Sequence, residues 1–352
     1  MIRKILFLGN YGNRNVGDNA ILIELVKRYK KTFPKSRIYI ICRENIDDIN
    51  LSKSVFPVRM VIREMKSAFY GSDLVVIGGG GIFSEYVGPR ARFIPFVAIL
   101  AKILGKKVYF ESLGFYPSTS PLLKFLVRVA FLFSDKISVR DGVSIQTAGW
   151  VNSIKRIELV EDPAVSLVSA SGRHVHDILI NEGMKIGKGT KLIGVSIKRV
   201  KNPKYAARVT KVFKKLIQIY EKNKKIAFLF IPYSRDRGGL TKREDDYSYN
   251  EELLRNFNNN PRVFLLKREY SPNEILGITR VLNLSICMRF HSIVFAYMSK
   301  IPFVPISYAE KCQAYLEKKK INALQINTLT YNKVIHFNEN VEHILTQNKR
   351  KN

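Results

Sequence analysis

The sequence predicts two α/β domains in tandem, each built around a mostly parallel sheet. Three observations carry that expectation. Short apolar runs that end in glycine or a polar turn alternate with stretches of helical period. The alternation begins afresh after a polar stretch near Ser169–His176, which reads as a linker. The 352 residues are long for one core and suit two domains of about 100–200 residues each.

The elements follow in order. ILFLG (Ile5–Gly9) is a short apolar run closing on glycine, the pattern of a buried strand. The loop NYGNRNVGDN leads into AILIELVKRYKKTF, apolar at helical spacing and basic toward its end, where the helix dipole favours cations. SRIYIICR reads as a second strand. DLVVIGGGGIF (Asp73–Phe83) is a strand running into four glycines, and KKVYFESLGF (Lys106–Phe115) is another ending in a glycine loop. KISVRD (Lys136–Asp141) is a short strand before a helix, and RIELVEDPAVSL holds one more. In the second half KLIGVSIKRV, KIAFLFIPY, RVFLLKRE, LNLSICM and IPFVPISY are the strand candidates, with ARVTKVFKKLIQIYEK a clear amphipathic helix. SRDRGGLTKREDDYSYN reads as a long surface loop. The expected boundaries are 1–170, 171–345 and a frayed basic tail over 346–352. Each half is Rossmann-like, and the two are expected to face a cleft. In open α/β sheets ligands sit outside the C-terminal ends of the strands, where the glycine loops, SVRD and MRFH all fall.

Composition narrows the function classes. The net charge is +30, split as +11 over residues 1–170 and +19 over 171–352, so both halves are basic. Such a field draws anions: phosphorylated metabolites, nucleic acid or an anionic membrane surface. Three separated cysteines, Cys42, Cys287 and Cys312, make a disulfide framework or a thiolate zinc site a poor expectation and fit a reducing cytoplasm. No signal-peptide pattern is read at the start, and no run reaches the roughly 18–20 apolar residues of a membrane span. FIPFVAILAKIL (Phe93–Leu104) and PLLKFLVRVAFLF (Pro121–Phe133) come nearest and are expected to be mostly buried helices.

Four stretches carry candidate chemistry. The glycine loops Gly9–Asp18 and Gly78–Gly81 either let backbone N–H groups approach an anion or a sugar, or are tight turns at strand ends. Neither is a Walker A sequence, and Gly9, Gly12 and Gly17 are misspaced for a dinucleotide fingerprint. In SVRD, Arg140 either pairs locally with an aspartate at a helix start or aims its guanidinium at a carboxylate or phosphate. In CMRFHSIVFAY, Arg289 and His291 interrupt an apolar run. A buried arginine needs an anion, yet no acidic residue lies between Glu274 and Glu310. The partner must come from a distant segment or a ligand, and His291 is a candidate general acid. In ISYAEK, Lys311 follows a strand end and is either an exposed lysine or a ligand-facing one.

Taken in order, GNYGNRNVGDNAIL, DLVVIGGGGIFSE, ESLGF, SVRD, EDPAV, GVSIK, MRFHSIVFA and IPFVPISYAEK resemble the polysaccharide pyruvyl transferase family over about Ile2 to Leu316. The resemblance implies a GT-B-like fold of two Rossmann-like domains, an acceptor side in the first and a donor side in the second. It implies phosphoenolpyruvate as donor, a sugar hydroxyl pair of a cell-surface glycan or its lipid-linked precursor as acceptor, a pyruvyl ketal as product and release of phosphate. No metal or nicotinamide cofactor is implied. Carried over residue by residue, Arg140, Arg289, Lys311 and Lys198 would bind the donor anion, and His291 would act as acid or stabilise the departing phosphate. Asp18 would be the base, unless it caps the following helix. Gly12, Asn15, Gly79, Gly80 and Glu85 would contact substrate on the acceptor side. Lys198 stands where many members resemble GVSxR, and ESLGFYP replaces a more usual QGxGP-like stretch, so Glu111 is expected to change the acceptor contacts.

The excess charge, where it is not merely a solvated surface, points to a cytoplasmic protein with peripheral contact at the inner membrane face. Two other classes compete. A GT-B glycosyltransferase with a nucleotide-sugar donor shares the shell but usually needs a carboxylate for the ribose, and the segment just after the RxH motif, as far as Lys311, offers Glu310 alone. A nucleic-acid-binding protein fits the charge, yet no recognition motif is present.

Overall fold

The computed structural model describes residues 2–43, 46, 51, 53–83, 90–184, 187, 189–220, 225–235, 245–257, 260–330 and 333. The chain divides into two compact units, Met1–Leu167 and Val168–Asn352.

The first unit alternates strand and helix: β1 (Lys4–Leu8), α1 (Val16–Thr32), β2 (Arg37–Cys42), β3 (Val55–Arg59), α2 (Ile62–Gly71), β4 (Leu74–Gly80), α3 (Arg90–Ile103), β5 (Lys107–Leu113), α4 (Pro121–Phe133), β6 (Lys136–Val139), α5 (Gly142–Ala148), α6 (Val151–Ile154) and β7 (Glu158–Leu159). The strands pair in the order β3-β2-β1-β4-β5-β6-β7, every pair parallel. β4 is buried along its whole length, as a central strand covered on both faces must be. The core on the α3/α4 side includes Phe83, Phe110, Phe115 and Phe131, with the Phe110 and Phe131 rings edge-on at 4.8 Å.

The second unit repeats the logic: α7 (Gly172–Asn181), β8 (Lys191–Ser196), α8 (Pro203–Tyr220), β9 (Ile226–Phe230), α9 (Asp246–Leu254), β10 (Val263–Leu265), α10 (Pro272–Arg280), β11 (Leu284–Cys287), α11 (Phe290–Met298), β12 (Phe303–Ser307), α12 (Glu310–Lys318) and β13 (Leu324–Gln325). Its order is β10-β9-β8-β11-β12-β13, again all parallel. Read within its own unit, that is the 3-2-1-4-5-6 order of a doubly wound dinucleotide-type fold. Local chemistry supports the elements. Ser271 and Glu274 form a reciprocal capping box on α10, with Pro272 at the first helical position.

Several expectations are corrected. The polar stretch at Ser169–His176 is not a linker throughout: Ser171 caps α7, accepting from the His174 N–H. The segment read as a surface loop ends in a helix. Residues 245–250 begin α9, and Asp246 and Asn250 are fully buried. Residues 236–244 of that segment lie outside the described residues, as do Glu85 and the tail 346–352. The two apolar helices are not mostly buried. α3 and α4 cover the core with one face each and expose the other, including Phe93, Ile103, Leu122 and Phe125. β3 was not foreseen from VFPVR, where Pro57 argues against a central strand. As the edge of its sheet, β3 accommodates a residue with no N–H to donate.

Candidate functional site

In a sheet of this order ligands collect where the strand order reverses. In the first unit that point lies between β1 and β4. The chain leaving β1 turns through Gly12, whose φ of 71° suits glycine, and enters α1 at Asn15. The Asn15 side-chain oxygen accepts from the N–H groups of Gly17 at 3.0 Å and Asp18 at 3.2 Å, so the helix cap is Asn15 and not Asp18. Asp18 stands in the first turn, where the dipole favours a carboxylate, and accepts from Asn10 Nδ2 at 2.7 Å. The end of β4 lies against this loop. Tyr11 donates its hydroxyl to the Gly78 carbonyl; burial, then Asp18 and Glu111, pushes that phenol well above its usual range and keeps it a donor. A side chain at Gly79 (φ 77°) would strike Ile21 at 2.4 Å, and one at Gly80 would come within 3.5 Å of Asp18 Oδ1. The glycines therefore let β4 and α1 approach closely, and they bring Gly80 beside Asp18.

Arg140 is placed differently. It is 5% exposed at the end of β6, with Nη1 on Asp162 at 2.8 Å and Tyr116 Oη at 3.1 Å from Nη2. Asp141, its neighbour, caps α5 and also stands 4.0 Å from Arg140 Nε, the local pair the sequence offered. Burial works against the charge, but Tyr116, Asp162 and Asp141 outweigh it and hold the guanidinium's pKa above its usual range. Glu111, expected to change the acceptor contacts, is instead internal to the sheet. It is 2% exposed and engaged by Tyr29 at 2.9 Å, Ser138 at 3.1 Å and Lys136 at 3.2 Å.

In the second unit the order reverses between β8 and β11, and a cationic set gathers there. Ser196 and Cys287 are register partners, and the Met288 N–H donates to the Ser196 carbonyl at 2.8 Å. Just beyond them Arg289 occupies the N-cap of α11, and His291 stands in its first turn. Arg289 does find a partner in a distant segment: its Nε and one Nη meet the Asp246 carboxylate at 2.8 and 2.6 Å. The Tyr233 N–H also donates to Asp246, at 3.1 Å. Lys198, 5% exposed beyond β8, lies with Nζ 5.3 Å from the centre of the Tyr308 ring at the end of β12. Lys311 is in the first turn of α12. His291 is 8% exposed, its ring edge-on to Phe290 at 4.9 Å.

Two features make this place suited to an anion. Neither Arg289 nor Ala309 caps its helix with a side chain, and the N-terminal, positive dipole ends of α11 and α12 both lie at the strand ends. Among the described residues, the buried Asn250 amide, one turn along α9 from Asp246, and the buried Ser196 hydroxyl have no hydrogen-bond partner. Polar groups buried in that state ordinarily meet water or a ligand. Cys287 is fully buried, and burial pushes its thiol up to about 12, which disfavours the thiolate. No three His, Cys, Asp or Glu side chains gather as a metal needs, among the described residues.

Gly12, Asn15, Asp18, Gly79 and Gly80 thus meet at one reversal point, and Lys198, Arg289 and His291 stand at the other, with Lys311 one strand further, beyond β12. Arg140 stands apart at the end of β6. Asp246, Asn250 and Ser196 were missed from the sequence. The Asp-Asp pair opening DDYSYN, a capping signal at Asp245, was the one available hint.

Comparison with known proteins agrees with this architecture. The family model for polysaccharide pyruvyl transferase matches residues 15–310. No curated protein sequence matches the chain. Among solved structures, UDP-GlcNAc 2-epimerase from Methanocaldococcus jannaschii, in complex with UDP-GlcNAc and UDP, is 12% identical with a TM-score of 0.61, over 97% of this chain and 92% of that one. The epimerase from Neisseria meningitidis is 12% identical with a TM-score of 0.60, over 99% and 100%. E. coli ADP-heptose lps heptosyltransferase II is 12% identical with a TM-score of 0.52, over 98% and 99%. At such identities the likeness shows the fold, which is GT-B-like.

Proposed function

The chain belongs to the polysaccharide pyruvyl transferase family, and from that premise we propose that it transfers pyruvyl from phosphoenolpyruvate to a hydroxyl pair of a glycan or lipid-linked saccharide. The observation that carries the reading is the cationic reversal point of the second unit. Phosphoenolpyruvate presents a carboxylate and a phosphate, and both need cations or N–H donors. Lys198, Lys311 and the N-terminal ends of α11 and α12 supply them. Arg289, tied to Asp246, fixes the entry of α11 as much as it adds charge.

The reaction adds one sugar oxygen to C2 of the donor while a proton reaches the methylene carbon, which becomes the methyl group. Phosphate leaves with the C2–O bond electrons, and the second hydroxyl closes the ketal. The two hydroxyl protons end on the methyl group and on phosphate. His291 is the proposed acid for the methylene carbon, because the family's RxH histidine falls on it. Asp18 is the proposed base on the acceptor side, steadied by Asn10. Gly12 and Gly80 offer backbone groups to sugar hydroxyls there, and Asn15 acts by capping α1. Glu85 is kept as an acceptor contact by resemblance alone. Arg140 is assigned to organising the first unit's strand ends through Asp162.

The test is a thermal-shift titration with phosphoenolpyruvate beside inorganic phosphate, UDP and ADP. A rise with phosphoenolpyruvate that phosphate does not reproduce supports the reading. A rise with a nucleotide alone transfers the assignment to a glycosyltransferase, whose shell this fold shares.

A further inference from the structure

The outward faces of α3 and α4 do not look like the surface of a protein that meets only water. The two helices lie side by side on one face of the first sheet and share a core through Ala98, Ala101, Val127, Ala130 and Phe131. Their opposite faces carry a second apolar stripe each. On α3 it runs Phe93, Phe96, Leu100 and Ile103, with Phe93 66% and Ile103 76% exposed. Those spacings of three, four and three residues place them on one side of the helix. On α4 the exposed set is Leu122, Phe125 and Phe133. Trp150, at the N-cap of α6, and Ile154, at its end, are also exposed on the short helix packed against α4. Single exposed apolar residues need no explanation, but adjoining stripes on neighbouring helices mark a contact surface.

Charge identifies what it contacts. From Arg90 to Ile157 the sequence holds eleven basic and three acidic residues. Glu111 and Asp141 are buried, and Asp135 is paired with Lys102 at 2.9 Å. The two helices themselves carry Arg90, Arg92, Lys102, Lys124 and Arg128 and no acidic residue. A second copy of this chain is a poor match, because an isologous contact would press like charges against one another. Among the described residues no helix is long and apolar enough to cross a membrane. A helix pair with bulky apolar side chains outward and only cations among its charges instead lies in the headgroup region of an anionic bilayer.

We propose that the α3/α4 face is a docking surface for anionic lipid bilayers. The aromatic and aliphatic stripes enter the headgroup–acyl boundary, and the basic residues of the two helices hold lipid phosphates. The inference is independent of the donor, since its test reads binding to vesicles and not turnover.

The experiment is co-sedimentation of the full chain with phosphatidylcholine vesicles carrying an increasing phosphatidylglycerol fraction. The wild type is expected to sediment with anionic vesicles and to stay in solution with neutral ones. Phe96→Asp combined with Phe125→Asp changes two side chains more than half exposed, so the melting temperature is expected to hold while vesicle affinity falls by about tenfold or more. Trp150 is the chain's one tryptophan. Its emission should shift to the blue on adding anionic vesicles to the wild type, a readout that needs no variant. The proposal fails if the wild type stays in solution with anionic vesicles. It also fails if the double variant sediments as the wild type does, which would mean that lysines elsewhere do the binding. A variant that only turns a dimer into a monomer, with vesicle binding intact, would make the face a self-association surface.

Discussion

The two units share one topology and dress it in opposite ways. Both reverse strand order between their first and fourth strands, and both place sequence motifs there. In the first unit the reversal point is built from glycines, asparagines and the Asp18 carboxylate. In the second it is built from Lys198, Arg289 and His291, with Lys311 one strand further, at two helix starts without side-chain caps. Each unit also holds a buried arginine–aspartate pair at a strand end, Arg140 with Asp162 and Arg289 with Asp246. The comparison teaches that the scaffold fixes where a ligand sits, while the side chains fix its charge. Under the proposed function, a neutral, hydroxyl-rich acceptor would suit the first dressing and a multiply charged donor the second.

The sharpest way to break the comparison is at His291. His291→Ala is expected to lower turnover by roughly a hundred- to ten-thousandfold, with the thermal melt unchanged. Near-normal turnover would remove the acid from the second unit. Next come the twin ion pairs. Asp246→Ala leaves a buried guanidinium without its carboxylate and should cost about 3–5 kcal/mol in urea unfolding. Asp162→Ala should cost a similar amount. Only the first should also weaken phosphoenolpyruvate binding, and equal effects on binding would erase the distinction between the units. Asp18→Asn, measured by steady-state kinetics, should reduce turnover by about a hundredfold and leave donor affinity alone. A smaller effect separates packing from chemistry. Gly79→Ala meets Ile21 in a left-handed backbone and should destabilise by about 1–3 kcal/mol without changing the donor's affinity.

Much of this was legible in the sequence, and the gaps have physical causes. Apolar runs closing on glycine marked β1, β4 and β5, because a central parallel strand is apolar on both faces. β3 escaped because an edge strand tolerates Pro57 and a polar face. Arg289 announced that it needed an anion, but nothing local named Asp246, 43 positions away. Ion pairs across a fold leave no spacing rule in the chain. Asp246 was further hidden in a polar run whose second part turns into α9. α3 and α4 misled in the other direction. Apolar residues on all sides ordinarily mean burial on all sides, and here one face of each helix remains exposed.

The central claim is the division of ligands between the units, and donor titration of three proteins tests it most directly. Phosphoenolpyruvate is titrated calorimetrically into the wild type, Lys198→Met and Asp18→Asn. The account predicts wild-type-like affinity for Asp18→Asn and about tenfold weaker binding, or more, for Lys198→Met. Donor binding abolished by Asp18→Asn and untouched by Lys198→Met would contradict it.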